Sequence, residues 1–141
     1  MTKRLLAIGI LAGLAIQNST AANGFTVLRV STPLIASASA GLKLGAPNGD
    51  MRPSMQAEAG IGGGRIALGL DNTGEANFGY AFKAAILRTW IEPLSVDENQ
   101  TFLGIELELS VKQLVLSAGG YHRVGEGDDD WLGSVGLGLI F

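Results

Sequence analysis

The sequence predicts an all-β fold, an antiparallel up-and-down barrel of about eight strands that cross a membrane. Apolar residues alternate with small or polar ones along most of the chain, and the last eleven residues form a strand with one fully apolar face. An apolar segment near the N-terminus has the features of a signal peptide. Because successive side chains of a strand point to opposite faces, such alternation is typical of strands that lie between two environments.

The N-terminal segment indicates the compartment. Two basic residues precede the apolar residues 5–16, and the small residues 19–21 follow where a signal peptidase would cleave. The apolar run is shorter than the about 20 residues that a membrane-spanning helix needs. The sequence therefore predicts that residues 1–21 are a signal peptide and that residues 22–141 form a single β-barrel domain outside the cytoplasm.

Composition excludes several function classes. The chain contains no cysteine, which excludes disulfides, a thiol nucleophile and a cysteine-based metal site. Without the two basic residues of the signal segment, eight basic residues remain against thirteen acidic ones, a net charge of −5. This excess of acid argues against a nucleic-acid partner, because phosphates require a basic face. After the signal segment no apolar run is long enough for a membrane helix, so a membrane form would have to be a barrel.

Eight candidate strands follow from the alternation. They are residues 34–45, 54–62, 65–71, 77–83, 86–92, 101–111, 114–124 and 131–141. Eight is the smallest even number usual for barrels of the bacterial outer membrane. Three of these strands contain only seven residues, fewer than the about 9–11 that a spanning strand needs. Residues 25–30 are left open as an extra strand, a periplasmic plug or a disordered lead-in.

Residues 76–92 have two interpretations. Their apolar positions also fit one face of a helix that would end at Pro93. We prefer two short strands with a turn near Ala84 and Ala85, because this turn keeps the topology consistent. A helix would instead favour a soluble α+β protein of the periplasm that binds a small apolar ligand or a partner.

The predicted connections fall into two alternating classes. Those at 62–64, 84–85 and 112–113 are tight, and those at 46–53, 72–76, 93–100 and 125–130 are longer and polar. Ten of the thirteen acidic residues lie in or beside the longer connections. This asymmetry is typical of transmembrane barrels, and it predicts both chain ends on the periplasmic side with acidic loops outside.

With these features the chain resembles the small bacterial outer-membrane β-barrel proteins of the eight-stranded type. The resemblance rests on the signal segment, the alternating glycine-rich strands and a final strand that ends in Phe141, with Leu139, Leu137 and Val135 at alternate positions. In that family the barrel-assembly machinery recognises the terminal aromatic strand, so the resemblance implies this role for these four residues. It also implies the outer membrane of a Gram-negative cell envelope, contact with outer-membrane lipid and lipopolysaccharide, and a structural or surface-interaction role.

Charged side chains on the polar strand faces are predicted to fill the barrel. A small closed barrel is filled by its own side chains, and buried unpaired charge is very costly. We therefore expect a network of interior ion pairs. Its predicted members are Glu58, Arg65, Lys83, Arg88, Glu106, Glu108 and Arg123, and Lys43 lies on the same kind of face.

One candidate catalytic arrangement centres on His122, the only histidine. It could act as the base of a lipid-modifying enzyme, with Ser117 or Ser134 as nucleophile and Glu106 or Glu108 as the orienting acid. A rim histidine in an interfacial aromatic belt explains it more simply. The two glutamates would need a sugar-sized cleft to act as a glycosidase pair, and an eight-stranded interior has no such room.

The acidic run Asp128–Asp130, together with Glu126, is a candidate calcium ligand set. It lacks the spacing of a calcium-binding loop, so a solvated acidic loop is favoured. The sequence thus predicts no catalytic, metal or cofactor site, and we expect the protein not to be an enzyme.

Overall fold

The computed structural model describes residues 22–45, 50–75, 77–92, 98–125 and 130–141, which form eight antiparallel strands and no helix. The strands are β1 (Ala22–Ser31), β2 (Ile35–Leu44), β3 (Arg52–Gly60), β4 (Gly63–Asp71), β5 (Phe78–Thr89), β6 (Thr101–Val111), β7 (Leu114–Val124) and β8 (Trp131–Ile140). Each strand pairs with its neighbours in sequence, and β1 pairs with β8 to close the barrel. The predicted all-β, eight-stranded barrel is confirmed. The predicted signal segment lies outside the described residues.

Two strand assignments are wrong: one strand was predicted as two, and another strand was not assigned. The predicted number of strands is therefore still eight. The residues assigned to two strands with a turn at Ala84 and Ala85 form the single 12-residue strand β5. Burial alternates through residues 84 and 85 without a break, so the strand continues there. The sequence pattern did not show this, because the small side chain of alanine fits either face of a strand. The eighth strand is β1, which contains residues 25–30. The helical alternative for residues 76–92 is excluded for residues 77–92, the part that the structure describes.

The corrected strands also change which connections share an end of the barrel. We call the end that carries Ala22 and Phe141 the proximal end and the opposite one the distal end. The proximal end carries connections 45–51, 72–77 and 112–113, and the distal end carries 32–34, 61–62, 90–100 and 125–130. Each end therefore has both tight and long connections, and the predicted segregation of the two classes is wrong.

The observed strands are long enough to cross a membrane. They contain between 9 residues in β3 and 12 residues in β5, which meets the requirement of about 9–11. Of the three short predicted strands, 65–71 begins two residues too late, and 77–83 and 86–92 lie largely within the single strand β5. One irregularity in the sequence also has a local cause, since Ile35, which interrupts the alternation, has a positive φ of 65° at the start of β2.

Two apolar clusters lie inside the barrel, one near each end. The distal cluster contains Leu34, Ala67, Ala85, Leu87, Phe102 and Tyr121, with Leu132 packed against it. The proximal cluster contains Phe25, Val27, Val115 and Ile140. The interior between and around these clusters is polar, so its side chains are candidates for a functional site.

Candidate functional site

The distribution of polar and apolar side chains is inverted relative to a soluble barrel. Charged residues on the strands are buried on the inner face, whereas leucine, isoleucine and valine side chains dominate the exposed outer face. Among the described strand residues, Arg88 is the one charged side chain that alternation places on the outer face. The interior charges are therefore the first candidate for a functional site.

The buried charges form one continuous chain of ion pairs, which we call the charge ladder. From the distal half towards the proximal mouth, its members are Glu58, Arg65, Glu106, Arg29, Glu108, Lys83, Asp71, Lys43, Glu75 and Arg52. Acidic and basic residues alternate at every step, and their formal charges cancel. This arrangement meets the condition under which buried charge is tolerated, because each ion has a partner of opposite sign.

Arg29 occupies the middle of the charge ladder. Its Nη1 donates to Glu106 Oε1 at 2.8 Å, and its Nη2 donates to Glu108 Oε1. The second oxygen of Glu106 accepts from Arg65 and, at 2.7 Å, from the hydroxyl of Tyr121. These contacts join β1, β4, β6 and β7 through side chains, in addition to the backbone hydrogen bonds of the sheet.

Lys83 connects the two halves of the ladder. Its Nζ lies 2.6 Å from Glu108 Oε2, 2.8 Å from Gln56 Oε1 and 3.0 Å from Asp71 Oδ2. The contacts to Glu108 and Gln56 are hydrogen bonds, and the contact to Asp71 is an ion pair. The Nζ also lies 5.5 Å from the ring centroid of Phe25, within cation–π range. Lys83 is thereby held without access to solvent.

The ladder ends at the proximal mouth. Lys43 Nζ lies 3.1 Å from Asp71 Oδ1 and 3.4 Å from Glu75 Oε1. Arg52 pairs with Glu75 and donates from Nη1 to the carbonyl of Gly45 at 2.6 Å. A cavity of about 740 Å³ opens here, and its lining includes Lys43, Arg52 and Glu75 together with residues 23–25 and 140–141. Of the ten acids assigned to outer connections, Asp71 and Glu75 thus turn inward instead.

Tyr121 closes the distal side of the network. Its ring packs over two inward glycines, since a Cβ on Gly104 would lie 2.5 Å from the ring and one on Gly119 would lie 3.1 Å from it. Glycine at these positions lets the bulky ring lie flat against the wall while its hydroxyl reaches Glu106. The apolar distal cluster then covers the charges on that side.

The structure brings together five of the seven predicted interior charges, namely Glu58, Arg65, Lys83, Glu106 and Glu108. Arg88 is not among them, because the unbroken alternation of β5 turns it outward, where its Nη1 donates to Thr101 Oγ1 at 3.1 Å. Arg123 lies at the distal rim, 3.1 Å from Asp130 and apart from the ladder.

Sequence reasoning missed Arg29, Arg52, Asp71 and Glu75 as members of the network. Arg29 lies in residues 25–30, for which the sequence allows several interpretations, although Phe25, Val27 and Arg29 alternate onto one face of an extended strand. The other three residues lie at strand ends or in a connection. Alternation is weakest there, so no sequence signal marks them as interior.

The candidate catalytic arrangement is not formed. His122 lies on the outer face, edge-on to Trp131 with ring centroids 5.1 Å apart. Ser117 and Ser134 are buried on the inner face, so the sheet itself separates them from the histidine. Glu106 is held by arginines. Among the described residues no group of acidic or histidine side chains could hold a metal ion. Of the candidate calcium ligands, Glu126, Asp128 and Asp129 lie outside the described residues, and Asp130 pairs with Arg123.

The residues assigned to barrel assembly lie on the last strand. Val135, Leu137 and Leu139 are exposed on the outer face of β8. Phe141 follows the strand, and its backbone N and O bond to Thr26 at 2.8 and 3.0 Å. The chain end is therefore part of the seam between β8 and β1.

No protein-family model matches the chain, and no curated protein sequence matches it significantly. Among solved structures, the chain is similar to the crystal structure of the N-terminal β-barrel domain of Pseudomonas aeruginosa OprF. That similarity has a TM-score of 0.44 at 12% sequence identity, and it covers 84% of this chain and 96% of the other. The described residues contain no helix that is long and apolar enough to cross a membrane. We therefore infer function from the side chains of this chain itself.

Proposed function

We propose that this chain is a small integral β-barrel of the bacterial outer membrane, with a structural or surface-interaction role and no catalytic activity. The observation that carries the proposal is the apolar outer wall. Large aliphatic side chains stand exposed on it, such as Ile105 and Leu107 at 55% and 56% exposure. Contiguous exposed apolar surface of this extent would aggregate in water and is stable in lipid.

Aromatic residues border this wall at both ends. Trp90 and Trp131 are exposed at the distal end, and Phe78, Tyr80 and Phe141 are exposed at the proximal end. Transmembrane barrels carry such girdles where the wall meets the lipid head groups. The 11 residues of β6, at about 3.3 Å each and tilted by about 40°, span roughly 28 Å, which covers the about 25 Å height of the apolar band in such barrels.

The filled interior favours a structural role over transport. Eight strands enclose just enough space for side chains. Here the charge ladder occupies that space, and an apolar cluster lies near each end. A pore would require several ion pairs to separate at once, which leaves the outer surface as the part available for interactions.

We further propose that the proximal end faces the periplasm. The first described residue, Ala22, lies there with Phe141, which the barrel-assembly machinery would recognise together with Val135, Leu137 and Leu139. The distal connections 90–100 and 125–130 hold seven of the thirteen acidic residues. This end would face the medium and the head groups of lipopolysaccharide, with divalent cations bridging its carboxylates to lipid phosphates.

Cell fractionation tests the membrane assignment. We expect the mature chain in the outer-membrane fraction after extraction with alkaline carbonate, and a shift in gel mobility on boiling in mild detergent. The shift is expected because a closed barrel with a buried ion-pair network stays compact in detergent until heated. Recovery in the soluble periplasmic fraction without a mobility shift would contradict the proposal.

An epitope inserted in residues 125–130 tests the orientation. We expect antibody to label intact cells, because this connection lies at the distal end. An epitope in residues 45–51, at the proximal end, is the matched control and should be labelled only after permeabilisation. The reverse pattern would mean that the barrel is inserted the other way round.

A further inference from the structure

We propose that the outer wall binds one phosphorylated glycolipid of the outer leaflet, with Arg88 as the phosphate ligand and an adjoining furrow as the seat of an acyl chain. The proposal rests on the proposed function, because it requires the distal half of the barrel to lie in that leaflet. It adds a defined lipid site to a wall that otherwise offers only apolar surface.

Arg88 is the residue of the outer wall that we expect to bind the phosphate. It is the one charged side chain on the outer faces of the described strands, and it lies one residue before the distal end of β5. A hydrogen bond of 3.1 Å to Thr101 Oγ1 holds its guanidinium along the wall. A cation facing lipid is disfavoured except near the head groups, where an anion can pair with it. Arginine suits a phosphate particularly well, because it can bond two oxygens at once.

A furrow in the wall begins beside Arg88. It consists of two adjoining hollows of about 330 and 380 Å³ that share Ile66 and Ile86. The first is bordered by Arg88 and Trp90, and the second continues along the wall past Ala84. Small side chains between larger ones make the wall concave here, and the apolar lining suits hydrocarbon.

Trp90 forms the distal border of the furrow. A Cβ on Gly64 would lie 2.8 Å from the Trp90 ring, so glycine at this position lets the indole lie against the wall. The indole Nε1 donates to the carbonyl of Ile61 at 3.0 Å, which fixes the ring in place. The furrow thus has a charged group and a fixed aromatic ring at its distal end, and its lining is apolar towards the middle of the barrel wall. A lipid with a phosphate above its acyl chains has the complementary shape and charge.

The test measures lipid binding to the mature chain refolded in phosphatidylcholine nanodiscs, by native mass spectrometry with added lipid A. We expect one lipid A per barrel. The Arg88→Gln variant should bind lipid A about tenfold more weakly, because charge-assisted hydrogen bonds to the phosphate are lost. Dephosphorylated lipid A should bind both proteins equally and weakly, which assigns the loss to the contact between Arg88 and the phosphate.

A variant that fills the furrow tests the acyl-chain part of the site independently of Arg88. Ala84→Leu places a larger side chain in the second hollow and should also displace lipid A. Ala38→Leu is the matched control, since it makes the same change on the outer face of β2, outside the furrow. Equal affinities in wild type, Arg88→Gln and Ala84→Leu would overturn the proposal, and so would equal binding of phosphatidylglycerol.

Insertion of each protein is scored before lipid binding, by its heat-dependent gel mobility. A wild type that fails to insert would overturn the proposed membrane function and the lipid site with it. A wild type that inserts but shows no preference for lipid A would overturn the lipid site alone.

Discussion

Replacing Glu106 by alanine is expected to lower the free energy of unfolding by about 3–5 kcal/mol, the range found when one partner of a buried ion pair is removed. Glu106 lies between Arg29 and Arg65 and pairs with both. Without it Arg65 keeps only Glu58 as a partner, and Arg29 keeps Glu108 and a longer contact of 3.8 Å from Nη1 to Glu58. The measurement is a urea titration of the barrel in lipid vesicles, with the folded fraction determined from its gel mobility.

Two further variants calibrate this result. Tyr121→Phe removes only the hydroxyl that donates to Glu106, so its cost should be about 1 kcal/mol. Glu98→Gln changes an exposed acid in a connection and should stay within about 0.5 kcal/mol of wild type. If Glu106→Ala behaves like Glu98→Gln, the charge ladder does not stabilise the barrel.

The barrel class could be predicted because it depends on a local signal. Alternation in β6 places Glu106 and Glu108 on one face and Leu107 on the other without any knowledge of the neighbouring strands. The same signal correctly assigned Glu58, Arg65 and Lys83 to the interior. Alternation with a two-residue period therefore predicts which side chains face the barrel interior, wherever large apolar and polar residues alternate clearly.

The pairing inside the barrel could not be predicted, because it depends on register and closure. Arg29 and Glu106 are 77 residues apart, and they meet only because the barrel closes with β1 beside β8. Alanine at positions 84 and 85 fits either face, so the sequence allowed a turn where the strand continues. That choice misplaced Arg88 on the inner face. Together with the omission of β1, it also assigned the connections between β2 and β5 to the wrong ends of the barrel.

Replacing Leu107 by arginine is expected to destabilise the inserted barrel by about 2–4 kcal/mol, the cost of a cation on the lipid face near the middle of the membrane. Leu107 lies near the centre of β6 and is 56% exposed on the outer wall. Val111→Arg makes a comparable change at the proximal end of the same strand, where the cost should fall to about 0–1 kcal/mol. Urea titration in vesicles compares the two variants directly. In a soluble barrel an arginine at either position would meet water, so equal and small effects would contradict a lipid-facing wall. A penalty that depends on depth is therefore the direct energetic signature of the membrane around this chain.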